Sequence, residues 1–127
     1  METRVIGMIV LAGVIVQILM GFLGFVKPSM MDPITLLHAV IGISGLGTVL
    51  FMTNKSLKVA ATPVTKYVMI VGSIVVLSQV ATGLMLLTGM TIRTMDHALN
   101  AYLIVTLFVG HAAYAMYWQK KQQSKSA

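Results

Sequence analysis

The sequence has no cysteine and only three acidic residues among its 127 residues. The absence of cysteine excludes disulfide bonds, thiolate metal sites and thiolate-ligated iron. Charged residues of both signs make up 9% of the chain and hydrophobic residues 57%, whereas a soluble domain carries about 25% charged residues. The composition therefore predicts an integral membrane protein whose polar segments are too short to fold separately.

The chain does contain long apolar runs. A helix rises about 1.5 Å per residue, so a run of about 20 residues crosses a hydrocarbon core of roughly 30 Å. Short connections between such runs allow only antiparallel neighbours. We therefore predict an all-α fold, a single transmembrane domain of residues 1–127 that forms a four-helix up-down bundle. The four spans lie at about residues 5–26, 33–53, 64–87 and 94–118.

The net charge of +6 is distributed unevenly between the two ends of such a bundle. Two basic residues, Lys27 and Arg93, fall at the end opposite the chain termini, and seven fall at the end that holds the termini. This bias predicts that both termini are cytoplasmic (N-in/C-in) in a prokaryotic plasma, or inner, membrane. We therefore expect the basic residues to contact the lipid bilayer, and we expect no nucleic acid as a partner. The seven are Arg4, Lys55, Lys58, Lys66, Lys120, Lys121 and Lys125.

A short internal repeat relates the two halves of the chain. Gln17 and Gly21 are followed by Asp32, and the same order returns as Gln79 and Gly83 followed by Asp96. Two hairpins of the same orientation would stack about an axis along the membrane normal. Asp32 is a suitable N-cap for the second helix.

All three histidines lie inside the apolar runs, which is an expensive place for an imidazole unless it faces the bundle interior. His38 and His97 both follow the starts of helices that run inward, so their depths differ by only about 5 Å. In an up-down bundle these two helices are diagonal neighbours, roughly 14 Å apart. The spacing predicts that His38 and His97 are metal ligands on opposite faces of a haem.

Small residues are expected where the edges of a flat ring pass between the other two helices. Gly21 and Gly24 lie near the outer end of the first run and Gly83 near that of the third, and glycine leaves room for a ring. Lys27 and Arg93 are placed to bind propionates. The polar groups expected within reach of the histidines are those of Gln17, Gln79, Asn100 and Tyr102.

A second haem is an alternative that the histidine spacing leaves open. His111 lies fourteen residues after His97, which returns it to nearly the same helical face about 21 Å deeper. The corresponding position on the second run is Met52, and methionine can be an axial ligand of haem iron.

The set Gly21, His38, Gly83, His97 and His111 resembles that of the four-helix membrane-bound b-type cytochromes of respiratory electron-transfer complexes. Members with two haems carry paired histidines on both helices, whereas the second run here has one. The resemblance implies haem b and a small electron-transfer subunit of a quinol-linked complex. It also implies other subunits and quinone as partners, and enzymatic activity only as part of an oxidoreductase.

Two other functions remain open. Histidines that bond to neighbouring helices, together with glycines that permit close packing, also suit a cofactor-free accessory subunit of a larger respiratory or photosynthetic complex. A proton-coupled exporter would need an acidic residue within the membrane. Since Glu2, Asp32 and Asp96 are terminal or interfacial, we rank the exporter last.

Overall fold

The structure, a computed structural model, describes residues 3–27, 29, 31–59, 62–90 and 93–126, excluding the side chains at positions 3, 4 and 126. These ranges hold four helices and no strand, so the all-α prediction is confirmed for them. Each helix is long and apolar enough to cross a membrane, consistent with an integral membrane protein. The helices are α1 (Thr3–Phe22), α2 (Pro33–Lys58), α3 (Pro63–Leu87) and α4 (Thr94–Ser126).

The helices form a four-membered ring. Helix α1 contacts α2 and α4, and α3 contacts the same two, while no backbone contact joins either diagonal pair in the described ranges. Hydrogen bonds between α3 and α4 join Thr65 to His111 and Thr82 to His97. Since these pairs progress in opposite directions along the two helices, α3 and α4 are antiparallel. Helices α2 and α4 are diagonal neighbours, as expected for an up-down bundle.

Helix α2 begins as its sequence predicts. The Asp32 carboxylate accepts hydrogen bonds from the Thr35 backbone N–H at 2.8 Å and from the Thr35 hydroxyl at 2.9 Å, and Pro33 occupies the first turn. These bonds to Thr35 hold the pKa of Asp32 below its ordinary value. Because the folded-state pKa is lowered, the cap is fully effective above about pH 4 and is lost as the pH falls through that lowered pKa.

Helix α1 ends at Phe22, four residues before the predicted Val26. Gly24 has φ of +71°, and the N–H of Phe25 donates to the carbonyl of Met20 at 3.1 Å. This is a Schellman termination, in which a residue with positive φ closes the last turn. Glycine takes this positive φ without the strain that a side chain would add, and the last carbonyl groups of α1 receive hydrogen bonds.

The same device ends α3, where Gly89 has φ of +75° and the N–H of Met90 donates to the carbonyl of Met85 at 3.0 Å. Gly24, expected from the sequence to make room for a ring, therefore has a second role in ending helix α1. A Cβ built at Gly24 meets nothing within 4 Å, so what requires glycine there is the backbone conformation. The Schellman ends of α1 and α3 therefore occupy equivalent places, each at the end of the first helix of a hairpin.

Helix α2 continues to Lys58 instead of ending near residue 53, and two polar residues near this end, Thr53 and Ser56, are buried in the bundle. The Thr53 hydroxyl lies 2.7 Å from the Ser73 hydroxyl and 3.1 Å from the Met69 carbonyl oxygen, and all three residues are buried. Buried hydroxyls with such partners keep polar sequence inside the bundle. Helix α4 is also longer than predicted and runs eight residues beyond position 118.

A small apolar core closes the bundle between the histidines and the end that holds the termini. Val49, Val76 and Ile104 are buried there, with Val10 and Phe108 packed against them. Gly72 lets the Phe108 ring reach this layer, since an added Cβ would lie 2.9 Å from its Cζ atom. The core leaves the opposite half of the bundle less tightly packed.

We expect Gly24→Ala to lower the free energy of unfolding by about 1–2 kcal/mol, because alanine is strained at positive φ. Gly7→Ala is the control: this glycine lies within α1 and has no atom within 4 Å of an added Cβ. The control should be neutral or stabilise by up to about 1 kcal/mol. Thermal unfolding in detergent, followed by circular dichroism, measures both. Equal effects of the two substitutions would contradict the Schellman assignment.

Candidate functional site

A cavity of about 550 Å³ lies among all four helices on the side of the core away from the termini. Its lining is mainly aliphatic and includes several glycines. A cavity of this size is within the range of sites for small molecules and cofactors. The side chains with hydrogen-bonding groups that line it are Gln17, Lys27, Thr35, His38, Gln79, Thr94, His97 and Tyr102.

The structure brings His38 and His97 together across this cavity. Their ring centres lie 6.3 Å apart and their planes are inclined by 56°. The two rings come from the diagonal helices α2 and α4, so each must reach past the ring of backbones into the interior. This contact is the central feature of the site.

His97 is held by two residues of α3. Its Nδ1 lies 3.0 Å from the Thr82 hydroxyl and its Nε2 lies 3.1 Å from the Gln79 amide nitrogen. Gly83 supplies the wall behind the ring, since an added Cβ would lie 3.0 Å from the His97 Cε1 atom. Both nitrogens and one edge of the ring are therefore specified by a single face of α3.

The hydrogen-bond network assigns the tautomer of His97. The Thr82 hydroxyl donates to the carbonyl of Ser78 at 2.9 Å within its own helix, so it accepts from His97 Nδ1–H. Nε2 then carries the lone pair and accepts from the Gln79 amide. A ring fixed through Nδ1 presents Nε2 as its basic atom, the arrangement typical of a metal-binding histidine.

His38 is held differently from His97. The Gln17 side-chain amide donates to the backbone carbonyl of His38 at 2.6 Å. Among the described side chains, two buried polar atoms have no hydrogen-bond partner: His38 Nδ1 and Gln79 Oε1. Both belong to residues that line the cavity, where unpaired polar atoms are costly. The unused hydrogen-bonding groups of the site therefore lie beside the two histidines.

The sequence repeat has a structural counterpart in these bonds. In each hairpin a glutamine of the first helix, Gln17 or Gln79, donates to the histidine of the second helix. The partner atom differs, since Gln17 binds a backbone carbonyl and Gln79 binds an imidazole nitrogen. The glutamine and the histidine therefore lie side by side in both hairpins, but only in the second hairpin does the glutamine bind the imidazole ring.

The two glycines predicted to flank a ring also differ. Both Gly21 and Gly83 line the cavity. A Cβ at Gly83 would press on His97, whereas a Cβ at Gly21 would meet nothing within 4 Å. Open space therefore lies on the α1 side of the cavity.

Of the two cations predicted for propionates, the structure brings only Lys27 to the cavity lining. Its backbone is tied to α2, because the Lys27 N–H donates to the Thr35 hydroxyl at 2.9 Å. Arg93 instead forms an ion pair with Asp96 at 3.0 Å, and its side chain is 84% exposed. Arg93 does not line the cavity.

The structure does not bring His111 and Met52 together. His111 Nε2 lies 3.2 Å from the Thr65 hydroxyl, and the residue lines a shallow groove between α3 and α4. Met52 lines neither this groove nor the central cavity. The residues proposed for a second haem therefore face different surroundings.

The polar residues around the histidines differ in part from those expected. Asn100 does not reach the histidines; its amide nitrogen donates to the Ser78 hydroxyl at 3.0 Å on the exposed side of α3 and α4. Thr82 was missed, although it lies three residues after Gln79 and shares its helical face. Tyr102 lines the cavity as expected, but it makes no hydrogen bond to either histidine in the described part of the chain.

Comparison of the chain with protein-family models, with curated proteins and with solved structures found no significant match.

We expect Gly83→Ala to lower the free energy of unfolding by about 1–3 kcal/mol, because the added methyl group must displace His97 in a packed interior. Gly21→Ala is the matched control, since it makes the same chemical change at the equivalent place in the repeat. It should be neutral or slightly stabilising. Unfolding in detergent measures the difference, and a loss of stability of the same size in both variants would contradict the asymmetry of the cavity.

Proposed function

We propose that this protein is a b-type cytochrome, a small transmembrane electron-transfer subunit that holds one haem b between His38 and His97. The observation that carries the proposal is the 6.3 Å separation of the two ring centres across a shared cavity. One metal ion bound by a nitrogen of each imidazole, at about 2 Å, would place the two ring centres roughly 6 Å apart, since each centre lies roughly 1 Å behind its nitrogen. His38 and His97 would therefore need little movement to hold one haem iron.

Other features of the residues fit a haem. His38 has an unpartnered nitrogen, and His97 presents the lone pair of Nε2. The cavity volume of about 550 Å³ suits a large flat ligand, and the open side at Gly21 offers room for its edge. Ligation of His97 requires one change, because the Gln79 amide must leave Nε2.

Haem, when bound, supplies one-electron redox chemistry, and the chain supplies ligation, orientation and surroundings. His38 and His97 are the ligands, and Thr82 fixes the orientation of the His97 ring through Nδ1. The aliphatic lining excludes water from the ligands, which influences a reduction potential through the local dielectric. Lys27 is the described cation that lines the cavity, so it is the residue we assign to a propionate.

The proposed setting is a quinol-linked respiratory complex in a prokaryotic plasma membrane, with both termini in the cytoplasm. The charge distribution supports this orientation. Lys55 and Lys58 end α2, Lys66 begins α3, and the lysines of α4 follow its last apolar turn, all at the end that holds the termini. Short connections rich in Lys and Arg favour the cytoplasmic side. Quinone and other subunits of the complex are the proposed partners.

A cofactor-free accessory subunit is the second candidate, and the bonding of His97 favours it. Both ring nitrogens have partners on α3, as in a histidine whose role is to join two helices. The two candidates differ in visible absorption, which only the haem protein has.

The first experiment is a dithionite-reduced minus oxidised visible spectrum of the purified protein, with a pyridine haemochrome assay that counts haem per chain. We expect one haem per chain and loss of the Soret band in both His38→Ala and His97→Ala. His111→Ala is the control and should keep its haem, because His111 lies outside the cavity.

The haem count separates the alternatives. Two haems per chain, one of them lost in His111→Ala, would instead support the second site with Met52. Absence of haem after expression with ample haem supply and reconstitution would overturn the cytochrome proposal in favour of the accessory subunit.

Thr82 should influence haem affinity without touching the haem. We expect Thr82→Val to weaken haem binding about 10–100-fold, because the His97 ring loses the acceptor that orients it. Thr82→Ser keeps the hydroxyl and should bind nearly as the parent does. Titration of the apoprotein with haem, followed at the Soret band, measures both variants. Equal affinity of Thr82→Val and Thr82→Ser would show that the hydroxyl does not position His97.

A further inference from the structure

The outer surface of α3 and α4 carries a second depression, separate from the central cavity. This outer groove has a volume of about 360 Å³ and an almost wholly apolar lining. Val64 and Val68 form its α3 side. Its α4 side consists of Leu103, Leu107 and Gly110 together with Thr106, His111 and Tyr114. A Cβ built at Gly110 meets nothing within 4 Å, so a neighbouring helix can approach the α4 backbone closely.

A polar pair extends the outer groove along α4. Asn100, Leu103, Leu107 and Gly110 are spaced by three, four and three residues, which places them on one helical face. Asn100 donates to the Ser78 hydroxyl at 3.0 Å, and this bond is exposed. The outer groove and the Ser78–Asn100 pair therefore form one continuous strip along the outer side of the α3–α4 seam. Leu103 and Gly110 are exposed on it, and Asn100 and Leu107 are half-buried.

The depth of this pair makes its exposure expensive. Ser78 lies roughly 14 Å from the end of α3 at Leu87 and roughly 22 Å from its start at Pro63, at about 1.5 Å per residue. Both distances place it well inside a hydrocarbon core of about 30 Å. The Asn100 amide has two N–H donors and an acceptor oxygen, yet one bond to Ser78 is its whole set among the described residues. In lipid the remaining groups lack partners.

We propose that the strip from Asn100 to Gly110 is a dimer interface, at which α4 of one copy packs against α4 of a second copy of this chain. A carboxamide both donates and accepts, so the two Asn100 side chains, one from each copy, satisfy each other across a twofold axis. Such an axis along the membrane normal keeps both copies in the same orientation, as membrane insertion requires. The resulting interface is isologous and closed. Small residues and interhelical amide bonds are the features that join helices in membranes.

This inference is independent of the haem, because Asn100 faces Ser78 and not the histidines. It assigns a partner to the amide groups of Asn100 that the single bond to Ser78 leaves unpaired. The self-complementarity of the amide is what favours a second copy over an unrelated helix, which would need its own polar group at the same depth.

The chain contains no cysteine, so a single introduced cysteine reports contact between copies without background. Leu103→Cys lies on the strip one turn from Asn100, and Val40→Cys is the control on α2 at a similar distance from its helix start. The two side chains are equally accessible, at 50% and 52%. We expect oxidation of the protein in liposomes to give a covalent dimer for Leu103→Cys and monomer for Val40→Cys, since a disulfide needs Cβ atoms about 4 Å apart.

The amide is tested in the Leu103→Cys background. We expect Asn100→Leu to weaken dimerisation about 3- to 20-fold, the effect typical of an interhelical hydrogen bond in a membrane. Asn100→Gln keeps a carboxamide and should retain most of the dimer. Thr48→Val is the control for loss of an exposed hydroxyl that bonds only within its own helix, and it should have no effect.

Monomeric Leu103→Cys protein, or equal crosslinking of Val40→Cys, would overturn the proposed interface whether or not the Asn100 variants fold. A dimer that Asn100→Leu leaves intact would overturn the role of the amide. Crosslinking of Leu103→Cys to a different protein in native membranes, with none in liposomes of the pure chain, would reject the second copy and assign the strip to another transmembrane subunit.

Discussion

The structure depends on the cost of placing an imidazole among apolar side chains. His38 and His97 sit on helices that would otherwise be suited to lipid, so both rings turn into the bundle. There His97 receives partners for both nitrogens from Gln79 and Thr82, and Gly83 provides the space that the ring needs. These contacts fix His97, and His38 lies across the cavity with its ring centre 6.3 Å away.

The two hairpins each place a histidine in the bundle interior, but they pack around it differently. Each contributes a glutamine to the histidine of its second helix, but only the second hairpin closes around its ring. The first leaves open space beside Gly21, and α1 has no described residue that is buried. One hairpin therefore holds its imidazole in a fixed orientation, and the other leaves open space beside the cavity.

Polar groups are informative in this protein because lipid offers them no partners. Thr53 and Ser73 satisfy each other between α2 and α3, and the histidines are directed to the interior. Asn100 is the contrasting case, since it is bonded to Ser78 on the exposed side. The polar residues therefore divide into those that hold this bundle together, those that line its cavity, and one whose remaining bonding capacity lies outside it.

The sequence by itself determined the four helices, the cap at Asp32 and the common depth of the two histidines, because hydropathy, capping and helical rise are local properties. It placed the end of α1 four residues too late, because the sequence does not show that Gly24 takes a positive φ and ends the helix. Only the tertiary structure decided that Asn100 faces outward, that Arg93 pairs with Asp96 and that Thr82 orients His97. Residues three or four apart differ in direction by only 40–60°, and rotation of a whole helix, set by its neighbours, determines which of them faces the interior.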